Sequence, residues 1–197
     1  GINGVELSEL RVMEIDTGKV LVNSIPQAYC HFPSWLPDSS GFYVVGSNPA
    51  DMAAGSKIYL HKLGAPATTQ PETYEKSAGV MWVKPAADQK HVLMIADHLN
   101  PRVEYIRDAK AGGEWRPFLQ GETALFRGDI IGDRYYAVTT DGAPCGRLVS
   151  IPLATPKDRS TWKELLPGSR DVLATLLIVE GHLVLVDLVD TWSRIRV

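Results

Sequence analysis

Arg102-Val103-Glu104-Tyr105-Ile106 is a basic residue leading into strand-forming sequence, and it is one of five such copies. The others are Arg11-Val12-Met13-Glu14-Ile15, Lys57-Ile58-Tyr59-Leu60-His61, Arg147-Leu148-Val149-Ser150-Ile151 and Arg194-Ile195-Arg196-Val197. Their leading residues stand 46, 45, 45 and 47 residues apart. One basic residue before an aliphatic one carries little information. Five at a near-constant interval mark a repeat architecture, in which each unit buries its apolar faces against its neighbours.

Other segments keep the same step. A turn and a strand precede each of the last four copies: Pro37 to Gly41 into Phe42 to Val45, Asp88 to Lys90 into His91 to Ile95, Gly132-Asp133 into Arg134 to Val138, and Glu180-Gly181 into His182 to Val186. Asp bonds to nearby backbone and Gly accepts positive φ, so both suit tight reversals. Upstream of each turn lies another apolar segment: Tyr29 to Trp35, Gly79 to Val83, Ala124 to Ile130, and Val172 to Val179. A fourth follows the basic-headed strand: Lys19 to Ile25, Glu72 to Lys76, Trp115 to Leu119, and Trp162 to Leu166.

Four short strands about every 45 residues is the period of a β-propeller blade. The expected fold is therefore all-β: four-stranded antiparallel blades, about four to five of them, in an incomplete or reduced ring. One propeller domain spans 1–197, with a partial blade at 1–25, blades at 26–77, 78–122 and 123–169, and a partial blade at 170–197. The strongest helical candidate, Ser160 to Leu166, is short and occupies the place of a fourth strand. Exposed outer blades need cover. Either Lys19 to Ile25 crosses to the last blade and closes a small ring, or an open arc forms a homodimer through its outer blades.

Hydrophobic residues at 45% and charged residues at 22% describe an ordinary globular chain. The net charge of −3, with basic residues dispersed, argues against nucleic acid. No apolar run approaches the length of a membrane span, and the first residues lack a signal-peptide pattern, so the expected location is cytoplasmic. Cys30 and Cys145 read as unpaired thiols of a reducing compartment, with a long-range disulfide as the alternative.

At the second blade the sequence becomes specific. Pro33-Ser34-Trp35-Leu36-Pro37-Asp38-Ser39-Ser40-Gly41-Phe42-Tyr43, followed by Tyr59-Leu60-His61-Lys62-Leu63-Gly64-Ala65-Pro66, resembles the propeller of the prolyl oligopeptidase family of serine peptidases. The resemblance continues through Thr139-Thr140-Asp141-Gly142-Ala143-Pro144-Cys145-Gly146-Arg147-Leu148-Val149, Trp162 to Pro167, Leu188-Val189-Asp190 and Ser193 to Val197. It implies an internal stretch of a seven-bladed propeller that caps an α/β-hydrolase domain and restricts entry to short peptides. The Ser, Asp and His of such a peptidase lie in the hydrolase, so the resemblance carries no catalytic residue onto this chain. The function expected is a gating module that is no enzyme by itself. A free-standing propeller that binds a peptide or protein is the alternative.

The residues themselves support no other chemistry. A hydrolase nucleophile elbow needs G-x-S-x-G, which is absent; Ser39-Ser40-Gly41 and Gly168-Ser169 read as turns. His31, His61, His91, His98 and His182 form no i, i+4 pair with a carboxylate, and His91 with His98 makes a poor metal site. His91 and His182 head equivalent strands, which favours a structural role for both. Ala111-Gly112-Gly113 precedes a strand rather than a helix, and Asp187-Leu188-Val189-Asp190 lacks the donor pattern of a calcium loop. No catalytic, cofactor or metal residues are therefore expected, and the substrate-binding residues stay open. Trp35 with Trp82, and Trp115 with Trp162, recur at equivalent repeat positions, as packing between blades predicts. The basic heads Arg11, Lys57, Arg102, Arg147 and Arg194 are expected to pair between blades along one rim.

Overall fold

A computed structural model of the chain describes residues 8–28, 33–47, 56–65, 80–97, 99–110 and 113–197. These are all-β, without α-helix, and fall into two compact units, Gly1–Pro85 and Ala86–Val197.

In the first unit, β1 (Ser8–Met13) and β2 (Val20–Ala28) form an antiparallel hairpin, with Val12 opposite Val22. Next come β3 (Ser34–Trp35), β4 (Gly41–Ser47), β5 (Ser56–Lys62) and β6 (Val80–Pro85). β4 pairs with β3 and, over seven residues from Gly41–Lys62 to Ser47–Ser56, with β5. β2 joins the same sheet where Ala28 meets Gly46. Strand β2 holds most of the Lys19 to Ile25 segment, read as the fourth strand that follows the basic-headed Arg11 strand. It pairs antiparallel with β1 rather than crossing to the last blade, one of the two alternatives for covering the outer blades, because a short reversal through Gly18 brings the two strands together at little loop-closure cost. The fourth strand expected at Glu72 to Lys76 lies outside the described residues.

The second unit begins with β7 (His91–Ala96), β8 (Arg102–Asp108) and β9 (Arg116–Pro117), paired in that order. A complete four-stranded sheet follows: β10 (Phe126–Ile131), β11 (Arg134–Thr139), β12 (Arg147–Pro152) and β13 (Lys163–Leu166). The last sheet is β14 (Val172–Val179), β15 (His182–Val189) and β16 (Trp192–Arg196). The candidate helix reduces to one 3-10 turn, Arg159–Thr161, capped by Asp158, whose Oδ1 accepts from the Ser160 N–H. β13 then follows, as the repeat position requires.

Turn chemistry explains why the strands stop where they do. The loops Leu36–Gly41 and Ala86–His91 are built alike. Leu36 N–H bonds Gly41 O and Ala86 N–H bonds His91 O, both at 2.9 Å. Asp38 accepts from Ser40 N at 3.0 Å and Asp88 from Lys90 N at 2.9 Å. Ser39 and Gln89 both take φ of 57°. β14 and β15 are joined through Glu180-Gly181, both at positive φ, the two-residue turn whose twist matches that of paired strands.

The cores are apolar on both faces of a strand. Val92 to Ala96 of β7 are all buried, which is possible only where a sheet is covered on both sides. Each fully buried large aliphatic side chain contributes about 1.5–3 kcal/mol. Between the last two sheets, Val138 and Leu148 pack against Leu173 and Leu176, with Leu166, Leu183 and Leu185 around them. Gly128 lets two strands come close, since a Cβ there would sit 1.8 Å from the Tyr136 carbonyl oxygen. Tyr135 is buried beside it and donates its hydroxyl to the Phe126 carbonyl at 3.0 Å; burial drives its pKa far above the ordinary phenol value.

Candidate functional site

The serines of the two turn clusters are held locally. Ser40 Oγ donates to Asp38 at 2.6 Å, and Ser169 Oγ donates to the Asp171 carbonyl at 3.1 Å. Of the histidines, His31 and His98 lie outside the described residues. His182 is exposed at the start of β15. His91 meets Asp88 through Nδ1 at 2.6 Å, which is half of a catalytic triad. Its other nitrogen, Nε2, lies 3.8 Å from the Asp108 carboxylate, where a triad would have a nucleophilic hydroxyl. His61 is buried at 1% exposure against Phe42, and neither ring nitrogen has a hydrogen-bond partner. Burial holds its pKa below the ordinary 6.5, so the ring is neutral at pH 7. Among the described residues, no three or more His, Cys, Asp or Glu side chains gather as a metal site.

The basic heads of the repeat do form ion pairs, but within their own sheets. Arg102 at the start of β8 bonds Asp97 in the preceding loop and Glu104 two residues along, both at 2.9 Å. Arg147 of β12 bonds Asp141 at 3.2 Å and Glu164 of the adjacent β13 at 2.9 Å. Arg194 of β16 bonds Asp187 of β15 at 3.2 Å and Asp171 at 3.1 Å. For Arg102, Arg147 and Arg194 the expected pairing between blades is thus replaced by pairing across hairpin loops and neighbouring strands. The reason is reach: an acidic residue in the adjacent loop or strand is nearer than one on the next sheet. Arg11 is exposed, and the Lys57 side chain lies outside the described set.

Arg159 is the hub that sequence reasoning missed. Its guanidinium bonds Asp141 and Glu122, both at 2.5 Å. Asp141 is shared with Arg147, and Glu122 with Lys157. The same guanidinium lies 4.0 Å from the Trp162 ring centroid, and Trp162 meets Phe126 edge-on at 5.6 Å. Arg107 sits 5.0 Å above Trp115, the repeat equivalent of Trp162. These tryptophans are therefore not fully buried between blades. They are half-buried, Trp162 under the exposed Arg159 and Trp115 under the buried Arg107, and an exposed cation–π contact such as that of Arg159 contributes about 0.5–1 kcal/mol. Trp35 is exposed and packs on Phe42 at 5.0 Å, and Trp192 is exposed on β16. The signal for Arg159 was weak, since it lies in the irregular segment between β12 and β13, outside the repeat.

Antiparallel sheets at a near-constant period define a β-propeller repeat. The chain matches the family model of the prolyl oligopeptidase N-terminal β-propeller domain over residues 2–197 and belongs to that family. Among solved structures it is similar to a prolyl endopeptidase, one of two analysed for inter-domain dynamics in catalysis and specificity, at 26% identity and a TM-score of 0.82, covering 98% of this chain and 30% of that one. It is also similar in fold to prolyl oligopeptidase B of Galerina marginata, as the apo protein (17% identity, TM-score 0.80) and bound to a 35mer hydrolysis and macrocyclization substrate (16%, 0.78), again covering 98% of this chain and 30% of those. The chain therefore spans about 30% of the length of these solved relatives. No curated protein matches it. No helix among the described residues is long and apolar enough to cross a membrane.

Proposed function

We propose that the chain is the substrate-gating propeller of a prolyl-oligopeptidase-type serine peptidase, working against an α/β-hydrolase domain and not catalytic by itself. The observation that carries this reading is coverage: 98% of the chain superposes on 30% of a prolyl endopeptidase whose inter-domain dynamics bear on catalysis and specificity. The local bonding of Ser40, Ser169 and His91 supports the non-catalytic part. One propeller domain, with blades at 26–77, 78–122 and 123–169 and partial blades at either side, belongs to the same reading. So does a cytoplasmic location, which the unpaired thiol of Cys145 suits.

Two measurements test it. Purified chain is expected to leave proline-containing chromogenic peptides uncleaved; turnover that a serine-reactive phosphonate abolishes overturns the non-catalytic assignment. Coding sequence after Val197 that specifies G-x-S-x-G and a later His supports the gating role. The polypeptide so encoded should cleave short proline peptides and spare folded proteins, and lose that size limit when the propeller is removed.

A second reading, an interaction module that forms a homodimer, is favoured by the exposed apolar side chains of the last sheet, Leu177, Val179, Leu188 and Ile195. A mass in solution twice that of the chain is its signature.

A further inference from the structure

The connection between β12 and β13 is longer than its repeat counterpart between β8 and β9. Arg102 to Trp115 is 13 residues, whereas Arg147 to Trp162 is 15. A replacement accompanies the extra length. Five residues after each basic head stands Arg107 in β8 but Pro152 in β12. Arg107 covers Trp115 from within its own strand. Trp162 takes its cation from the longer connection instead, where the Arg159 guanidinium lies 4.0 Å from the ring centroid.

That connection reaches beyond its own sheet. The Leu153 carbonyl at its start accepts from Arg116 of β9 at 3.3 Å. Lys157 Nζ donates to the Gln120 carbonyl at 2.5 Å and lies 3.1 Å from Glu122, which Arg159 also holds at 2.5 Å. Gln120 and Glu122 follow Leu119, whose N–H bonds the Val103 carbonyl of β8, so they continue the neighbouring sheet. The charges then alternate in sign along a chain of Lys157, Glu122, Arg159, Asp141, Arg147 and Glu164, each within 3.2 Å of the next.

No side chain between Leu153 and Trp162 is buried, and Ala154, Thr155 and Lys157 to Ser160 are exposed. The 3-10 turn and its Asp158 cap shape the connection internally, but ionic contacts fasten it to the neighbouring sheet. The two sheets themselves meet through apolar contact, with Phe118 edge-on to Tyr135 at 5.4 Å and both rings buried. Salt screens exposed ion pairs and leaves apolar burial intact, so the two kinds of contact separate with ionic strength.

We infer that Leu153–Trp162 is a strap latched by charge across the seam between adjacent sheets, and that rising ionic strength unlatches it while both sheets stay folded. Unlatching bares the ring face of Trp162 and the carboxylate of Glu122. This goes beyond the gating reading and does not depend on it.

Arg159 supplies its own probe, because trypsin cuts after arginine and reaches this one only when the strap is open. The full 197-residue chain is digested at about 0.01 M and about 1 M NaCl, between which the screening length falls from about 30 Å to about 3 Å. Cleavage after Arg159 is followed by mass spectrometry and expressed relative to a free peptide of residues 153–166, which removes any effect of salt on trypsin. Relative cleavage should be about fivefold faster at high salt, with cleavage after Arg134 of β11 unchanged. Glu122→Gln leaves the cleavage site intact. It should give the fast rate already at low salt and remove most of the salt response. A salt-independent rate, or no cleavage after Arg159 at either salt, overturns the proposal. So does acceleration after Arg134 in parallel, because the sheet then opens as a whole. A Glu122→Gln chain cut as slowly as wild type at low salt overturns it too.

Discussion

Asp187 and Arg196 are joined by two parallel hydrogen bonds of 2.6 Å, Nε to Oδ2 and Nη2 to Oδ1, across the β15–β16 pair. The carboxylate is only 2% exposed, whereas the guanidinium reaches solvent. Burial by itself would raise the Asp187 pKa. The hydrogen bonds and charges of Arg196 and Arg194 outweigh it and hold the carboxyl below the ordinary 3.8. A buried charge is tolerable when it is paired in this way, and costly when it is not.

Replacing Asp187 with Asn should therefore destabilise the chain by about 2 kcal/mol, since two arginines lose their charged acceptor. The sign with pH follows from the lowered pKa. The stabilisation is fully present above the ordinary carboxylate value and fades as pH falls below it. Urea unfolding at pH 7 and pH 3 checks this: the gap between wild type and D187N should be wide at pH 7 and narrow at pH 3. An unchanged gap removes the assignment.

His61 gives an acid dependence at a higher pH. Its folded pKa is lowered, so the unfolded chain binds more protons in the window below 6.5. Stability should be complete above about pH 6.5 and decline as the solution is acidified through that window. Thermal melts between pH 5 and 7.5 should slope for wild type and lose most of that slope in His61→Leu. A steeper slope in the variant would contradict the buried neutral ring.

Gly128→Ala should cost about 3 kcal/mol, the upper end for forced overpacking, because the obstacle is backbone rather than a flexible side chain. Chemical denaturation measures it. A variant as stable as wild type would mean that β10 and β11 can separate without loss.

Thr191 carries φ of 74° in the Asp190-Thr191 turn between β15 and β16, a conformation that a β-branched residue adopts with strain. Thr191→Gly should raise stability by about 1 kcal/mol, less the entropy Gly adds to the unfolded chain. A higher midpoint in urea is the expected result, and a lower one shows that the turn is not strained.

The repeat was legible because strand formation follows local pattern. The run Val172 to Val179 becomes β14 with those same ends, bounded by the Glu180-Gly181 turn that the residue types announce. Asp38 and Asp88 close equivalent loops for the same local reason, a side-chain oxygen within reach of the amide two residues on. Those interactions span a few residues, so the order of residue types is enough to specify them. What the order left open is which distant groups meet. Arg147 finds Asp141 and Glu164 rather than the next sheet, β2 folds back on β1, Arg159 gathers two carboxylates and a tryptophan, and His61 is enclosed without a partner. Each of these depends on distances between segments far apart in sequence and on how completely water is excluded between them, and only the packed sheets set both.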